Sequence, residues 1–143
     1  MEAPKTVLLV TNSVTDAELN QIKQAIEEAK QQGLAIKINL VHVIPNLPTC
    51  YFNIPSMVQL AEQYYEEAKR YLTTIAEALN VSKKDQWLIT GRLKAEVLHL
   101  SEKLNADYIL ASSVHMQDLQ QALTFKKEHL KLLLQSLSAQ GSL

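Results

Sequence analysis

The 143-residue sequence has little glycine, little cysteine and no long apolar run. None of its three glycines, Gly33, Gly91 and Gly141, begins a helix after a strand, which argues against a dinucleotide fingerprint or a Walker-type phosphate loop. The single cysteine, Cys50, cannot form an internal disulfide and lies in no catalytic motif. The first apolar run, residues 7–10, is too short for a signal peptide or a membrane span. We therefore expect a cytoplasmic protein that does not enter a membrane.

Excess charge of either sign is also lacking. Fourteen basic and 15 acidic residues give a net charge of −1, so no global field would attract nucleic acid or an acidic membrane. A hydrophobic content of 47% with 20% charged residues is typical of a folded globular protein. We expect a single domain over residues 1–143, with residues 138–143 as a flexible tail.

Segments of strand length alternate with amphipathic segments along the whole chain. This βαβαβαβα order predicts an α/β fold, a three-layer sandwich in which a parallel sheet carries helices on both faces. The four predicted strands are residues 5–12, 34–44, 86–91 and 107–112.

Helix boundaries are marked by capping patterns. Thr15 and Glu18 fit a capping box at the start of the first helix, and Gly33 fits its left-handed end. A similar pattern at Ser56 and Gln59 predicts the start of the second helix after a proline-containing loop. The third helix is expected over residues 94–104, and the last from about Asp118 to about Leu137.

Polar side chains follow two of the predicted strands. Ligands of open parallel sheets bind beyond the carboxyl ends of the strands, where the strand order reverses. The candidate lining residues are therefore Thr11, Asn12 and Ser13 after the first strand, and Ser112, Ser113 and His115 after the fourth. The competing interpretation is ordinary turn and capping chemistry, which favours the same residue types.

The residue patterns indicate neither catalysis nor metal binding. The four histidines have no metal-ligand spacing, and the serines lie in no nucleophile-elbow motif. We expect His42 to be a hydrogen-bonded core residue, and His99 and His129 to lie on helix surfaces. His115 lies near the predicted crevice without an obvious acidic partner, so we predict no catalytic residue.

The last predicted helix is rich in leucine. This stripe has two interpretations, packing against the sheet or a helix-mediated homodimer. Its members are Leu119, Leu123, Leu130, Leu133 and Leu137.

Several segments together resemble the universal stress protein family, in particular its A-type members. They are "KTVLLVTNSVTDAEL", "LVHVIPNLP" and the run from "EEAKRYL" to "DYILASS", which cover roughly residues 5–115. The resemblance implies the strand order 3-2-1-4, with a fifth strand after the last helix. Residues 138–143 contain no strand-like run, so that strand is expected to be shortened or absent, and the dimer that it helps to build is in doubt.

The resemblance also implies that a nucleotide motif has been lost. ATP-binding members carry G-x-x-G, nine residues, then G-S/T after the fourth strand, and an acidic residue after the first. Here the motif positions are Ser112, His115, Phe125 and Lys126, and Asn12 replaces the acid.

Three functions compete on this basis. The first is a non-enzymatic stress-response protein that uses no cofactor, does not bind ATP, and acts through homodimerisation and contacts with an unidentified protein partner. The second is a degenerate adenine-nucleotide or anion-binding module. In this module Thr11, Asn12 and Val43 would lie near the base, and Ser112, Ser113 and adjacent amides would hold the phosphate. The remaining predicted site residues are Ser13, His115 and Lys126. The third, a small hydrolase or transferase using His115, is the least supported.

Overall fold

The computed structural model describes residues 4–47 and 54–141, without the side chains of residues 127 and 136–141. Cys50 and the central part of the proline-containing loop lie outside these residues, as does the side chain of Leu137. The strands are β1 (Lys5–Val10), β2 (Ile36–Ile44), β3 (Gln86–Thr90) and β4 (Tyr108–Leu110). The helices are α1 (Asp16–Gln31), α2 (Pro55–Leu79), α3 (Leu93–Leu104) and α4 (Lys127–Gly141).

The four strands form one parallel sheet in the order β3-β2-β1-β4, as the resemblance implied. Successive residues of β1 point to opposite faces, which divides the core into two layers. Val7 and Leu9 pack with α1, α2 and α4, whereas Leu8 and Val10 pack with α3. The predicted α/β architecture with helices on both faces is confirmed.

The first helix begins and ends as its sequence predicts. Thr15 and Glu18 form a reciprocal capping box, with the Glu18 carboxylate accepting from the Thr15 amide at 3.0 Å. Gly33 adopts a φ of 77° just beyond the helix, a conformation that an L side chain disfavours. Its amide donates to the Lys30 carbonyl at 3.0 Å.

The predicted cap of the second helix is wrong. α2 begins two residues earlier than the Ser56 pattern indicates, at Pro55, and its N-cap residue Ile54 provides no side-chain hydrogen bond. Proline suits the first helical position because its ring fixes φ and its missing amide hydrogen has no partner to lose.

The predicted start of the last helix is also wrong. α4 begins at Lys127 rather than Asp118, and the chain between β4 and α4 is a short 3₁₀ turn (Ser113–His115) followed by irregular turns. Leu123 prevents an earlier helix, because its amide donates to the Ile109 carbonyl at 2.8 Å and its carbonyl accepts from the Ala111 amide at 2.9 Å. These bonds place Leu123 beside β4 as a single parallel bridge.

This bridge is the only sign of a fifth strand in the described residues. It precedes α4, whereas the resemblance placed a strand after the last helix. α4 itself continues to Gly141, so residues 138–141 are helical.

The leucine stripe predicted as a dimer surface is mostly core. Leu119 precedes α4 and packs on the α3 side of the sheet, and Leu123 forms the bridge beside β4. Leu130 and Leu133 are buried on the opposite side, against α1 and α2. The four described leucines therefore do not form one helical surface that a second copy could cover.

Candidate functional site

The predicted site residues lie at the carboxyl edge of the sheet. β1 and β4 are neighbours, and the chain leaves β1 toward β2 on one side but enters β4 from β3. The strand order therefore reverses between them, which is where an open parallel sheet offers a crevice. Residues 11–13 and 112–115 border this crevice.

Thr11 and His42 form a hydrogen-bonded pair at the ends of β1 and β2. The buried Thr11 hydroxyl donates to the Val41 carbonyl at 3.2 Å and lies 2.8 Å from His42 Nδ1. Burial lowers the pKa of His42 from its ordinary value of 6.5, because the charged imidazolium is poorly solvated there. His42 is thus hydrogen-bonded, as predicted, and its side chain is half-buried.

Asn12 is paired with the backbone of Val43. Its Nδ2 donates to the Val43 carbonyl at 2.8 Å, and its Oδ1 accepts from the Val43 amide at 2.9 Å. One side chain therefore satisfies both backbone groups of Val43 that face the end of β1. These two residues were predicted to lie near a nucleotide base, and they contact each other.

Ser112 is buried, and its hydroxyl donates to Glu18 Oε1 at 3.4 Å. The same carboxylate oxygen accepts from the Thr15 amide in the capping box of α1. A negatively charged group therefore lies beside the first residue of the predicted phosphate turn.

His115 and Ser13 meet across the crevice. His115 Nε2 lies 3.2 Å from Ser13 Oγ, and Ser13 adopts a left-handed φ of 62°. Ser113 is exposed and opens the 3₁₀ turn that carries His115. Among the described residues, His115 has no carboxylate partner.

The other positions at which the resemblance implies a nucleotide motif are Phe125 and Lys126. Phe125 is only 1% exposed and packs in the core against α1 and α4, while Lys126 is exposed. His129, predicted on a helix surface, accepts from the Thr124 amide at 2.9 Å through Nδ1, so it ties the preceding loop to α4. His99 is exposed, as predicted.

A cavity of about 700 Å³ lies beside the crevice, between the end of β2 and the first half of α2. Ser13 and Val43 are the residues of the predicted nucleotide set that line it. The sequence prediction missed the other walls, although several of them recur at helical spacing and form an apolar stripe along α2, namely Leu60, Tyr64, Ala68 and Tyr71. The lining residues are Ser13, His42, Val43, Ile44, Pro45, Leu47, Leu60, Tyr64, Glu67, Ala68 and Tyr71.

Metal and membrane signals were also sought in the part of the chain that the structure describes. Within residues 4–47 and 54–141, no three His, Cys, Asp or Glu side chains are grouped closely enough to hold a metal ion. No described helix combines the length and apolar character that crossing a bilayer requires.

Comparison with known proteins confirms the resemblance seen in the sequence. The chain is 34% identical over 95 residues to universal stress protein A homolog 1 of Coxiella burnetii, a match that covers 64% of this chain and 65% of that relative. No family model matches the chain.

Solved universal stress proteins share the fold. A family protein from Burkholderia pseudomallei superposes with a TM-score of 0.56 at 15% identity, over 81% of this chain and 85% of its own. The universal stress protein of Archaeoglobus fulgidus in complex with dAMP gives 0.52 at 16% identity, over 85% and 94%. The architecture described above is the universal stress protein fold.

Proposed function

We propose that this chain, which has the universal stress protein fold and a universal stress protein as a relative, is a non-enzymatic stress-response protein of the cytoplasm. It acts without ATP, as a homodimer and through contacts with other proteins. The observation that carries the proposal is the pairing of the Asn12 side chain with both backbone groups of Val43.

Asn12 occupies the hydrogen-bonding groups that an adenine base would need at Val43. The edge of adenine presents a donor beside an acceptor, which is why a carboxamide pairs with it in two hydrogen bonds. The Asn12 carboxamide and the edge of adenine thus each have one donor beside one acceptor, and either could pair with the backbone amide and carbonyl of Val43. A base entering here would have to displace Asn12 and leave a partly buried amide without partners, at a cost of about 1–3 kcal/mol.

The opposite end of the crevice is unsuited to phosphate. The Glu18 carboxylate is hydrogen-bonded to Ser112, the residue at the first glycine position of the lost motif. A phosphate placed there would meet a like charge at short range, which costs several kcal/mol where water is partly excluded. The Ser13–His115 contact further spans the entrance.

We propose the absence of enzymatic activity because of the surroundings of His115. Among the described residues, the His115 ring is hydrogen-bonded to the Ser13 hydroxyl, and no carboxylate orients it. Serine nucleophiles generally need a base that is itself oriented by a third group.

A dimer surface at the β4 edge replaces the leucine stripe in this proposal. β4 pairs with β1 on one side but has only the Leu123 bridge on the other, among the residues described. A groove beside this bridge is lined by Tyr108, Ile109, Leu123 and Leu132, and Leu132 is 53% exposed. An apolar groove along a sparsely paired sheet edge suits a second copy of the same edge.

Titration with ATP tests the main claim. We expect no change in the melting temperature of the protein at 1 mM Mg-ATP. A site with a dissociation constant near 10 µM would instead stabilise the fold by about 2.7 kcal/mol, a shift of several degrees.

The Archaeoglobus fulgidus protein solved with dAMP, titrated with dAMP, is the positive control for the assay. A shift of several degrees for the present chain would support the adenine-nucleotide alternative and overturn the proposal. An Asn12→Ala variant that gains a shift absent from the wild type would identify Asn12 as the blocking group.

A further inference from the structure

The cavity beside β2 is bordered by the first half of α2. The first buried residue of α2 is Ala68, although the apolar stripe of the helix begins more than two turns earlier. Leu60 and Tyr64 belong to that stripe and line the cavity, and Tyr64 is 45% exposed. Side chains at core-type positions thus border open space.

The size and walls of the cavity suit a small organic molecule. Its volume of about 700 Å³ lies within the range of about 300–1,000 Å³ seen for ligand pockets. Ile44, Pro45, Leu47, Leu60 and Ala68 supply apolar walls. Tyr64 and Tyr71 add aromatic rings, and the Tyr71 ring meets His42 edge-on with 5.8 Å between the ring centroids.

His42 offers a hydrogen-bond acceptor to this space. When the one hydrogen of the Thr11 hydroxyl is directed to the Val41 carbonyl, the short contact with His42 is made through the hydrogen on Nδ1. Nε2 then carries a lone pair, and among the described residues it has no hydrogen-bond partner. Burial lowers the pKa of His42, which keeps the ring neutral near pH 7.

The charges around the cavity are negative. Glu67 lies in its wall, and the described lining residues include no lysine or arginine. Burial raises the pKa of the Tyr71 hydroxyl, and the carboxylates of Asp16 and Glu18 raise it further. The Tyr71 hydroxyl itself donates to the Val14 carbonyl. Anions are therefore disfavoured, and a cation over the tyrosine rings is favoured.

We propose that this cavity binds a small, flat, apolar molecule that carries a basic nitrogen. The ring system lies between the end of β2 and the Leu60–Tyr64 side of α2. A ring donor is accepted by His42, and the ammonium group is balanced by Glu67. The proposal does not rest on the function proposed above, because Asn12 and Ser112 take no part in it.

Three indole probes of similar shape but different charge test the ligand class. They are tryptamine as the cation, 3-methylindole as the neutral molecule and indole-3-acetate as the anion, each titrated at pH 7.5 by calorimetry and by ligand-observed NMR. We expect tryptamine to bind with a dissociation constant below about 1 mM, and at least tenfold more tightly than indole-3-acetate. Failure of all three to bind, or equal or tighter binding of the anion, would overturn the proposal.

Neighbouring glutamates on α2 provide a matched pair of variants. Glu67→Gln should weaken tryptamine about fivefold and leave 3-methylindole unchanged, whereas Glu66→Gln, at an exposed position outside the lining, should change neither. Tyr64→Ala should weaken both probes. Tryptamine binding that is indifferent to both Glu67→Gln and Tyr64→Ala would place the probe elsewhere and refute this site, and circular dichroism checks that each variant is folded.

Discussion

At the scale of single residues, side chains at positions of the implied nucleotide motif fill space and use hydrogen-bonding groups of the backbone. Asn12 binds both backbone groups of Val43, and Phe125 packs into the core at a position where the resemblance implies a motif glycine. Restoring one glycine would therefore not recreate a binding loop, because the surrounding structure depends on the side chain now present.

Phe125 should be among the most costly side chains to truncate. Phe125→Ala leaves a cavity in the core cluster that joins α1 and α4, so we expect a loss of about 3–5 kcal/mol in the free energy of unfolding. Urea denaturation measures this loss. Val114→Ala, at a position that is 70% exposed and outside the groove beside β4, is the control and should change stability by less than about 0.5 kcal/mol; a similar small effect for Phe125→Ala would contradict the core assignment.

His42 should make the protein less stable as the pH falls. Its pKa is lowered in the folded state by burial, so below pH 6.5 the unfolded chain takes up the proton first. The stability that neutral His42 contributes is fully present above pH 6.5. It is lost as the pH falls toward the lower pKa of His42 in the folded state.

A pair of histidine variants isolates this effect. In His42→Gln, the loss of stability between pH 7.5 and pH 5 should be smaller than in the wild type, measured by urea denaturation at each pH. His99→Gln, at an exposed helix position, should retain the wild-type slope. Equal slopes in all three proteins would show that burial of His42 has no effect on folding.

At the scale of elements, boundaries set by local chemistry are predictable and those set by distant contacts are not. The capping box of α1 uses residues three apart, and its pattern is visible in the sequence. The start of α4 depends on Leu123, whose backbone bonds to β4 override the helical spacing of the leucines around it. Pro55 begins α2 where a serine cap was predicted, and proline at the first helical position is itself a local signal.

The end of α2 provides a test of local backbone chemistry. Asn80 caps the helix with a φ of 59° and a ψ of 49°, the left-handed conformation. Asn80→Ala should cost about 1 kcal/mol because alanine keeps the Cβ that disfavours this conformation but loses the polar side-chain group that compensates for it, whereas Asn80→Gly should be neutral or stabilising. Thermal denaturation distinguishes them, and equal melting temperatures for the two variants would argue against the left-handed cap.

At the scale of the whole molecule, the described residues leave space at the carboxyl edge of the sheet and beside β4. The carboxyl edge carries the crevice and the adjacent cavity, and the β4 side carries the groove near Leu132. We propose a small molecule for the first and a second copy of the chain for the second.

The β4 groove makes the oligomeric state testable. Leu132→Asp should shift the mass in solution from dimer to monomer without unfolding the chain, because its side chain is exposed and its loss opens no core cavity. Light scattering after size exclusion gives the mass. Val114→Asp, 70% exposed and outside the described groove lining, is the matched control and should remain dimeric. A wild-type monomer, or a Leu132→Asp dimer, would rule out this surface.

The sequence by itself determined the alternation of elements, the parallel sheet and the end signals of α1, because periodicity and capping act within a few residues. Only the tertiary structure decided what the candidate site is. The Asn12–Val43 pair joins residues 31 positions apart, and the Ser112–Glu18 contact joins residues 94 apart. The cavity likewise depends on how far α2 stands from β2. Such contacts depend on how the packed elements approach one another, which no local pattern encodes.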